Sequence, residues 1–351
     1  MKGRGMAGAR PSRERLLEAI DRMGGVRVLV VADLVLDEFE YGTIGRISRE
    51  APVLILEHVR TDRLPGGGAN AVSNLRSLDG EARVVGRVGA DEPGDHLLGI
   101  LAARGADVSR VWRDPSYRTP VKRRILAGSA HSVKQQIVRV DRSGGPPVSP
   151  EGSPLLPAVR EAARDVQGIL VSDYSLGLVH PGNAAALVEA ARASGKPLLV
   201  DSRSQIRLFR GATAATPNLQ EAESALGEPL GDDPGRVERA GGLLREALQT
   251  ETIVVTRGSQ GMSVFTAGSD PVHLPVHGTD EVADVTGAGD TVIGAFTLAL
   301  LSGSTPLEAA TLANYAGGIV VMKRGTATVG RDELRRAVGA DPAPAGRPRP
   351  A

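Results

Sequence analysis

The chain has 351 residues, 41% of them hydrophobic and only 3% aromatic, with a net charge of +1 and no cysteine. That length holds one large α/β domain or two small ones. The charge balance gives neither a nucleic-acid footprint nor a polybasic membrane patch, and too few aromatic residues are present for base-stacking platforms. Without cysteine there are no disulfides, thiolate metal sites or thiol nucleophile. No apolar run approaches the ~20 residues of a membrane span, and basic residues 1–25 lack the apolar stretch of a signal peptide. A soluble, cytoplasmic protein with no nucleic-acid or membrane partner is expected.

Strand and helix signals alternate along the chain. Residues 1–24 read as an N-terminal extension, and Val26–Ala32 (VRVLVVA) as a strand buried on both faces. Gly67–Leu78 reads as a helix, Ala82–Val88 as a strand and Pro93–Arg104 as a helix. Gly168–Ser172, Pro197–Asp201 and Thr252–Thr256 repeat the short buried strand, and helical patterns cover 181–193, Asn218–Leu226, Arg236–Leu248, Ala288–Leu301 and Pro306–Met322. Such alternation implies an α/β fold: a mostly parallel sheet with helices on both faces, in one domain over residues 25–338. Glu40–Arg63 and Pro120–Asp141 break the pattern with short β-branched pieces. Val121–Ala127 and Ser132–Val140, joined by Gly-Ser-Ala-His, suggest a hairpin. These pieces form either a small β-sheet lid or edge strands of the main sheet; the lid is the preferred expectation. Residues 339–351 (GADPAPAGRPRPA) read as a disordered Pro-rich tail.

Residues 284–290 (DVTGAGD) carry the sharpest chemical signal. Gly287, Ala288 and Gly289 allow close approach to the backbone at a helix start, where free amides and the helix dipole favour an anion. Asp290, in the first helical turn, is placed to take a proton from a hydroxyl. Asp33 and Asp37 follow the first strand, at the carboxyl end where open α/β sheets bind ligands. Asn218 and Glu221, three apart on one helix face, suit Mg²⁺ through water, although by themselves they read first as a capping box.

On these residues the chain resembles the ribokinase-type (PfkB) carbohydrate kinases over about Arg27–Arg336. DVTGAGD and the PGGGANAVSNLRSL stretch carry the family resemblance. GRISREAPV, KQQIVRVD, VSDYSLG, RGATAATPNLQEAE and VTRGSQGMSVF point to its D-glycero-D-manno-heptose 7-phosphate kinase branch. The resemblance implies a ribokinase-like three-layer α/β/α fold with a β lid, and ATP and Mg²⁺ as cofactors. It implies Asp290 as catalytic base, with the Ala288, Gly289 and Asp290 amides as the anion hole. It implies sugar contacts from Asp37, Gly66, Gly67, Gly68, Asn70 and Asp173, and magnesium and nucleotide phosphates at Asn218 and Glu221. Thr256, Arg257, Gly258 and Gly261 match the nucleotide turn, Asn314 a position near the adenine, and Asp284, Thr286 and the Gly325 turn a potassium site. For a substrate phosphate the candidate cations are Arg46, Arg49, Arg63, Lys122, Arg124, Lys134, Arg139 and Arg203, with Lys122, Arg139 and Arg203 preferred. Heptose kinases usually carry Lys where this chain has Leu176; Arg203 stands at a second such position. Bifunctional relatives add a nucleotidyltransferase domain, which this chain is expected to lack. An exposed lid edge offers a homodimer contact.

A P-loop and a Rossmann fingerprint are both missing, and the His residues show no metal-ligand spacing. The expected activity is phosphorylation of the anomeric hydroxyl of heptose 7-phosphate to the 1,7-bisphosphate. The alternatives are a related kinase acting on ribose, fructose 6-phosphate or a keto-deoxy sugar acid, and a non-catalytic sugar-binding protein.

Overall fold

The computed structural model describes residues 11–129, 134–149, 152–231, 233–278, 283–323 and 325–340. The first part of the N-terminal extension, the end of the 128–131 turn with Ser132, and the tail from 341 onward lie outside the described residues. In chain order the strands are β1 (Arg27–Ala32), β2 (Leu34–Ile47), β3 (Leu54–Gly67), β4 (Glu81–Gly89), β5 (Asp107–Asp114), β6 (Val121–Gly128), β7 (Gln135–Arg142), β8 (Gly168–Asp173), β9 (Leu198–Ser202), β10 (Ala214–Ala215), β11 (Thr252–Thr256), β12 (Met262–Thr266) and β13 (Val272–Leu274). The helices are α1 (Arg13–Arg22), α2 (Gly68–Ser77), α3 (Glu92–Ala103), α4 (Leu155–Ala162), α5 (Ala184–Ala193), α6 (Leu219–Leu226), α7 (Pro234–Leu248), α8 (Ala288–Leu301), α9 (Pro306–Val320) and α10 (Arg331–Ala340).

The main sheet runs β13-β12-β11-β10-β9-β8-β1-β4-β5. All neighbours pair in parallel except β11–β12 and β12–β13. Side chains alternate across a strand, so β1 feeds two cores. Val28 and Val30 pack into the one containing α1, α2, α8, α9 and α10, and Leu29 and Val31 into the one containing α4 to α7. This explains the unbroken apolar run of β1. Helix α8 is apolar nearly all round because it is buried from Asp290 to Ala299, packed against α2 and α9.

A second sheet, β3-β2-β6-β7, stands apart from the first. The lid expectation therefore holds and the edge-strand alternative fails. The boundaries shift: β2 starts one residue after β1, and β3 runs on to Gly67. Asp37 is thus a residue of the lid sheet rather than of a loop behind β1. The N-terminal segment also needs correction. Leu16, Ala19, Ile20 and Met23 are buried, so α1 belongs to the core rather than to an extension. At the other end, Gly339 and Ala340 complete α10, although composition assigns them to the tail.

Candidate active site

Helix α8 starts where Gly287 takes φ +80°, a left-handed conformation that a side chain resists. A Cβ on Gly287 would also lie 2.4 Å from Asn70 Nδ2. The glycine thus lets α2 and α8 close on each other. Across that contact Asn70 Nδ2 donates to Asp290 Oδ2 at 2.9 Å, and Thr291 Oγ1 donates to Asn74 Oδ1 at 3.0 Å. Tyr174, just past β8, donates its hydroxyl to Asp290 Oδ1 at 2.8 Å. Asp290 is 3% exposed, and burial pushes its carboxyl up to about 6; Asn70 and Tyr174 pull the other way. The anion hole differs from expectation in one respect: the Ala288 amide is taken by the Val285 carbonyl at 3.2 Å. The amides of Gly289 and Asp290 remain in the first turn, where no earlier helical carbonyl can pair with them.

Two clefts meet at this helix start. One, of about 190 Å³, is lined by Thr256, Gly258, Gly261, Val276, Val292, Asn314 and Gly318 among others. It gathers three of the four residues of the expected nucleotide turn, together with Asn314, whose amide donates to Pro275 O at 2.7 Å. The other, of about 250 Å³, is lined by Asp173, Tyr174, Asp201, Arg203, Asn218, Glu221 and Asp290. Thr256, Val285, Gly287 and Gly289 border this second cleft, and all but Gly287 line the first as well.

The acidic residues at the strand ends divide into two kinds. Asp33 accepts the amides of Tyr174, Leu176 and Leu178, and Asp173 accepts Ser202 Oγ and the Ser175 amide. Both carboxyls are raised by burial, Asp33 to about 7. Their oxygens shape the 174–178 loop, which leaves them little capacity for sugar hydroxyls. Asp37 differs. It is 2% exposed and its Oδ1 sits 3.1 Å from Arg124 Nη1, yet neither atom is in a well-formed hydrogen bond. Burial raises its carboxyl, while Arg124, Lys122 and Arg139 oppose the rise. Gly66 makes this buried acid fit, since a Cβ there would lie 2.6 Å from Asp37 Cγ.

Half of the candidate cations, Arg63, Arg124, Lys134 and Arg139, are already engaged. Arg63 and Arg123 both bind Glu38, Arg139 binds Asp141, and Lys134 donates to the carbonyls of Gly128 and Ser129. Arg46 and Arg49 are exposed at the far end of the lid. Lys122 and Arg203 are in no ion pair with a described carboxylate, and both lie against the Tyr174 ring, at 5.0 and 5.4 Å from its centre. Asn218 and Glu221 form the capping box in full, with both bonds at 2.9 Å. Glu221 still faces the second cleft, and burial raises its carboxyl. Asp284 takes the amides of Thr286 and Gly325, each at 2.9 Å, tying those two turns together.

The family model for pfkB carbohydrate kinases matches residues 33–333. The chain belongs to that family. The bifunctional protein HldE of Pelobacter propionicus is 38% identical over 328 residues, covering 93% of this chain and 66% of the relative. HldE of Halorhodospira halophila is 41% identical over 321 residues, covering 91% of this chain and 65% of the relative. The chain therefore spans just under two thirds of these relatives. Arabidopsis thaliana ribokinase, complexed with ribose and ATP, superposes with a TM-score of 0.70 at 19% identity, covering 90% of this chain and 100% of that one. Escherichia coli phosphofructokinase-2, in complex with potassium, gives 0.69 at 19% identity, covering 90% and 98%. Those two likenesses establish the ribokinase-like fold.

In this pfkB kinase, sequence reasoning overlooked three polar side chains of the second cleft: Tyr174, Asp201 and Thr216, whose hydroxyl donates to Asp201 at 3.4 Å. Tyr174 stands inside the VSDYSLG stretch, but nothing local says that its hydroxyl reaches α8. Asp201 is the penultimate residue of β9, and its position near the carboxyl end of a parallel strand was the available signal. Burial raises its carboxyl well above the usual range, and the charges of Glu221 and Asp290 add to the rise.

Proposed function

We propose that this kinase transfers the γ-phosphoryl group of ATP to the anomeric hydroxyl of D-glycero-D-manno-heptose 7-phosphate. The observation that carries the transfer is the buried Asp290 at the point where two clefts share the start of α8. ATP lies in the cleft of Thr256, Gly258, Gly261 and Asn314, with its terminal phosphate at the Gly289 and Asp290 amides. The sugar lies beneath the lid, its hydroxyls against Asp37, Gly66, Gly67 and Asn70. The hydroxyl oxygen bonds to the γ-phosphorus as the bond to the bridging oxygen breaks. ADP leaves with that electron pair, and the hydroxyl proton passes to Asp290. Positioning and charge stabilisation supply most of the catalysis.

Two further groups follow from the family. Among the described residues no cluster of acidic or His side chains holds an ion by itself. Glu221 and Asn218 nevertheless suit Mg²⁺ held through water, because Glu221 and Asp201 are half-buried acids that oppose each other's charge. When bound, the ion neutralises phosphate charge. Asp284 and Thr286, joined to the Gly325 turn, suit potassium held mostly by carbonyls.

The heptose 7-phosphate assignment draws on the HldE relatives and on Lys122 and Arg203, the two cations beside Tyr174 that form no ion pair with a described carboxylate. Leu176, in place of the usual Lys, favours a second reading in which the acceptor is another sugar phosphate. The lid also presents Ile47, Leu54, Val59, Ile137 and Val140 to solvent. That apolar surface suits a homodimer through the lid. Among the described residues no helix is long and apolar enough to cross a membrane, and an ATP-consuming reaction on a sugar phosphate fits the cytoplasm.

The test is an ADP-release assay with ATP and Mg²⁺ on heptose 7-phosphate, ribose, fructose and fructose 6-phosphate. Turnover confined to heptose 7-phosphate supports the reading. Turnover on another sugar overturns the substrate and keeps the kinase. Sugar binding without any turnover favours a binding protein.

A further inference from the structure

Asp290 is gripped by one donor on each carboxylate oxygen: Asn70 on Oδ2 and Tyr174 on Oδ1. Two donors from different elements fix the carboxylate plane, and each oxygen keeps a lone pair for an incoming hydroxyl. Tyr174 is itself tightly placed. Its amide donates to the buried Asp33, and the amides of the next two residues donate to Asp173 and Asp33. These bonds hold Ser175 at φ +58°, a left-handed conformation that a non-glycine residue adopts only under constraint. Lys122 and Arg203 pack against the ring.

We propose that Tyr174 is a positioning residue for Asp290, whose hydroxyl aims the carboxylate and keeps it in its proton-accepting form. The proposal rests on reading Asp290 as the base. The phenol serves as a donor throughout the working range, because burial and the Asp290 charge push its own ionisation well above 10. The other groups facing Asp290 are mixed in sign. Asp37 on β2 and Asp201 on β9 oppose its ionisation, whereas Lys122 on β6 and the Asn70 amide on α2 favour it. Arg203, packed against the Tyr174 ring, adds a positive charge nearby, and Asp173 and Glu221 line the same cleft as Asp290. With burial foremost and two acids against it, Asp290 depends on its donors to stay ionised near neutrality.

Tyr174→Phe keeps the ring, its packing and both cation contacts, and removes only the donor. In single-turnover assays the acid limb of the pH–rate profile should move up by about 0.5–1 pH unit. The loss of rate should grow toward low pH, with the KM for ATP unchanged. The ¹³Cγ resonance of Asp290, titrated without substrate, should shift in the same direction, giving a readout independent of turnover. A rate loss uniform across pH with an unmoved Asp290 titration overturns the proposal and leaves Tyr174 a packing residue. Asp290→Asn separates the two levels. If that variant still turns over, the base assignment fails. If it is inactive while Tyr174→Phe keeps the wild-type profile, only the positioning role fails.

Discussion

The two clefts that meet at α8 are built from opposite materials. The second cleft is lined by the ionisable side chains of Asp173, Asp201, Glu221, Asp290 and Arg203, and the lid adds Asp37 and Lys122 to the acceptor side. The nucleotide side is lined by Thr, Gly, Ser, Met, Val, Ala and Asn, with no ionisable side chain among its lining residues. Selectivity against similar sugars needs polar groups that are costly to leave unpaired. Adenine and ribose need mainly a shaped apolar slot with backbone close at hand. Changes on one side should therefore leave the binding constant of the other side alone.

The largest effect is expected where the sides join. Asp290→Asn should lower kcat by about 10²–10⁴-fold, the usual span for a lost general base, while ATP affinity measured by calorimetry stays near wild type. A parallel loss of ATP affinity would mean that the two clefts are not separable. Asp37→Asn should raise the KM for the sugar by about ten- to hundredfold through a weakened charge-assisted hydrogen bond, with the KM for ATP unmoved. Gly318→Ala should do the reverse. Its Cβ would sit 2.0 Å from the His277 carbonyl oxygen, so the 276–278 segment must shift off α9. A cost of about 1–3 kcal/mol is typical of such overpacking, and thermal unfolding should show it beside a raised KM for ATP and an unchanged KM for sugar.

The mildest contrast is in pH. The Asp290 carboxyl is raised to about 6 by burial, so the base is ionised above that value and gains a proton as pH falls through it. Turnover should then drop about tenfold per unit below pH 6. Adenosine, which does not titrate between about pH 5 and 8, should bind with flat affinity across that range when followed by NMR. A step in its binding would place an ionisable group in the nucleotide cleft.

Much of the frame was legible in the sequence. The apolar run of β1 announced a doubly covered parallel strand, and DVTGAGD at the head of an apolar helix announced an anion site with an acid beside it. The break in alternation at 40–63 and 120–141 announced the lid. The unread parts were those whose signal is long-range. Helix α1 looked like an extension because its charged sequence shows only a narrow apolar stripe, and that stripe gains meaning only against α8, α9 and α10.

The sequence by itself determined which residue types stood at the strand ends and helix starts, because those positions follow from local periodicity and glycine placement. Tertiary structure decided which of them had chemistry to spare. Asp33 and Asp37 lie four residues apart and look alike as letters, yet folding gives Asp33 three backbone amides and leaves Asp37 beside an arginine without a formed hydrogen bond. Arg139 and Lys122 likewise look alike as cations, yet Arg139 is held by Asp141 two residues further along β7, while folding lays Lys122 against the Tyr174 ring. A hydrogen bond is spent on whichever partner the fold brings within about 3 Å, and for partners from distant segments, such as Asp33 and the Tyr174 amide, no local pattern of residues encodes that distance.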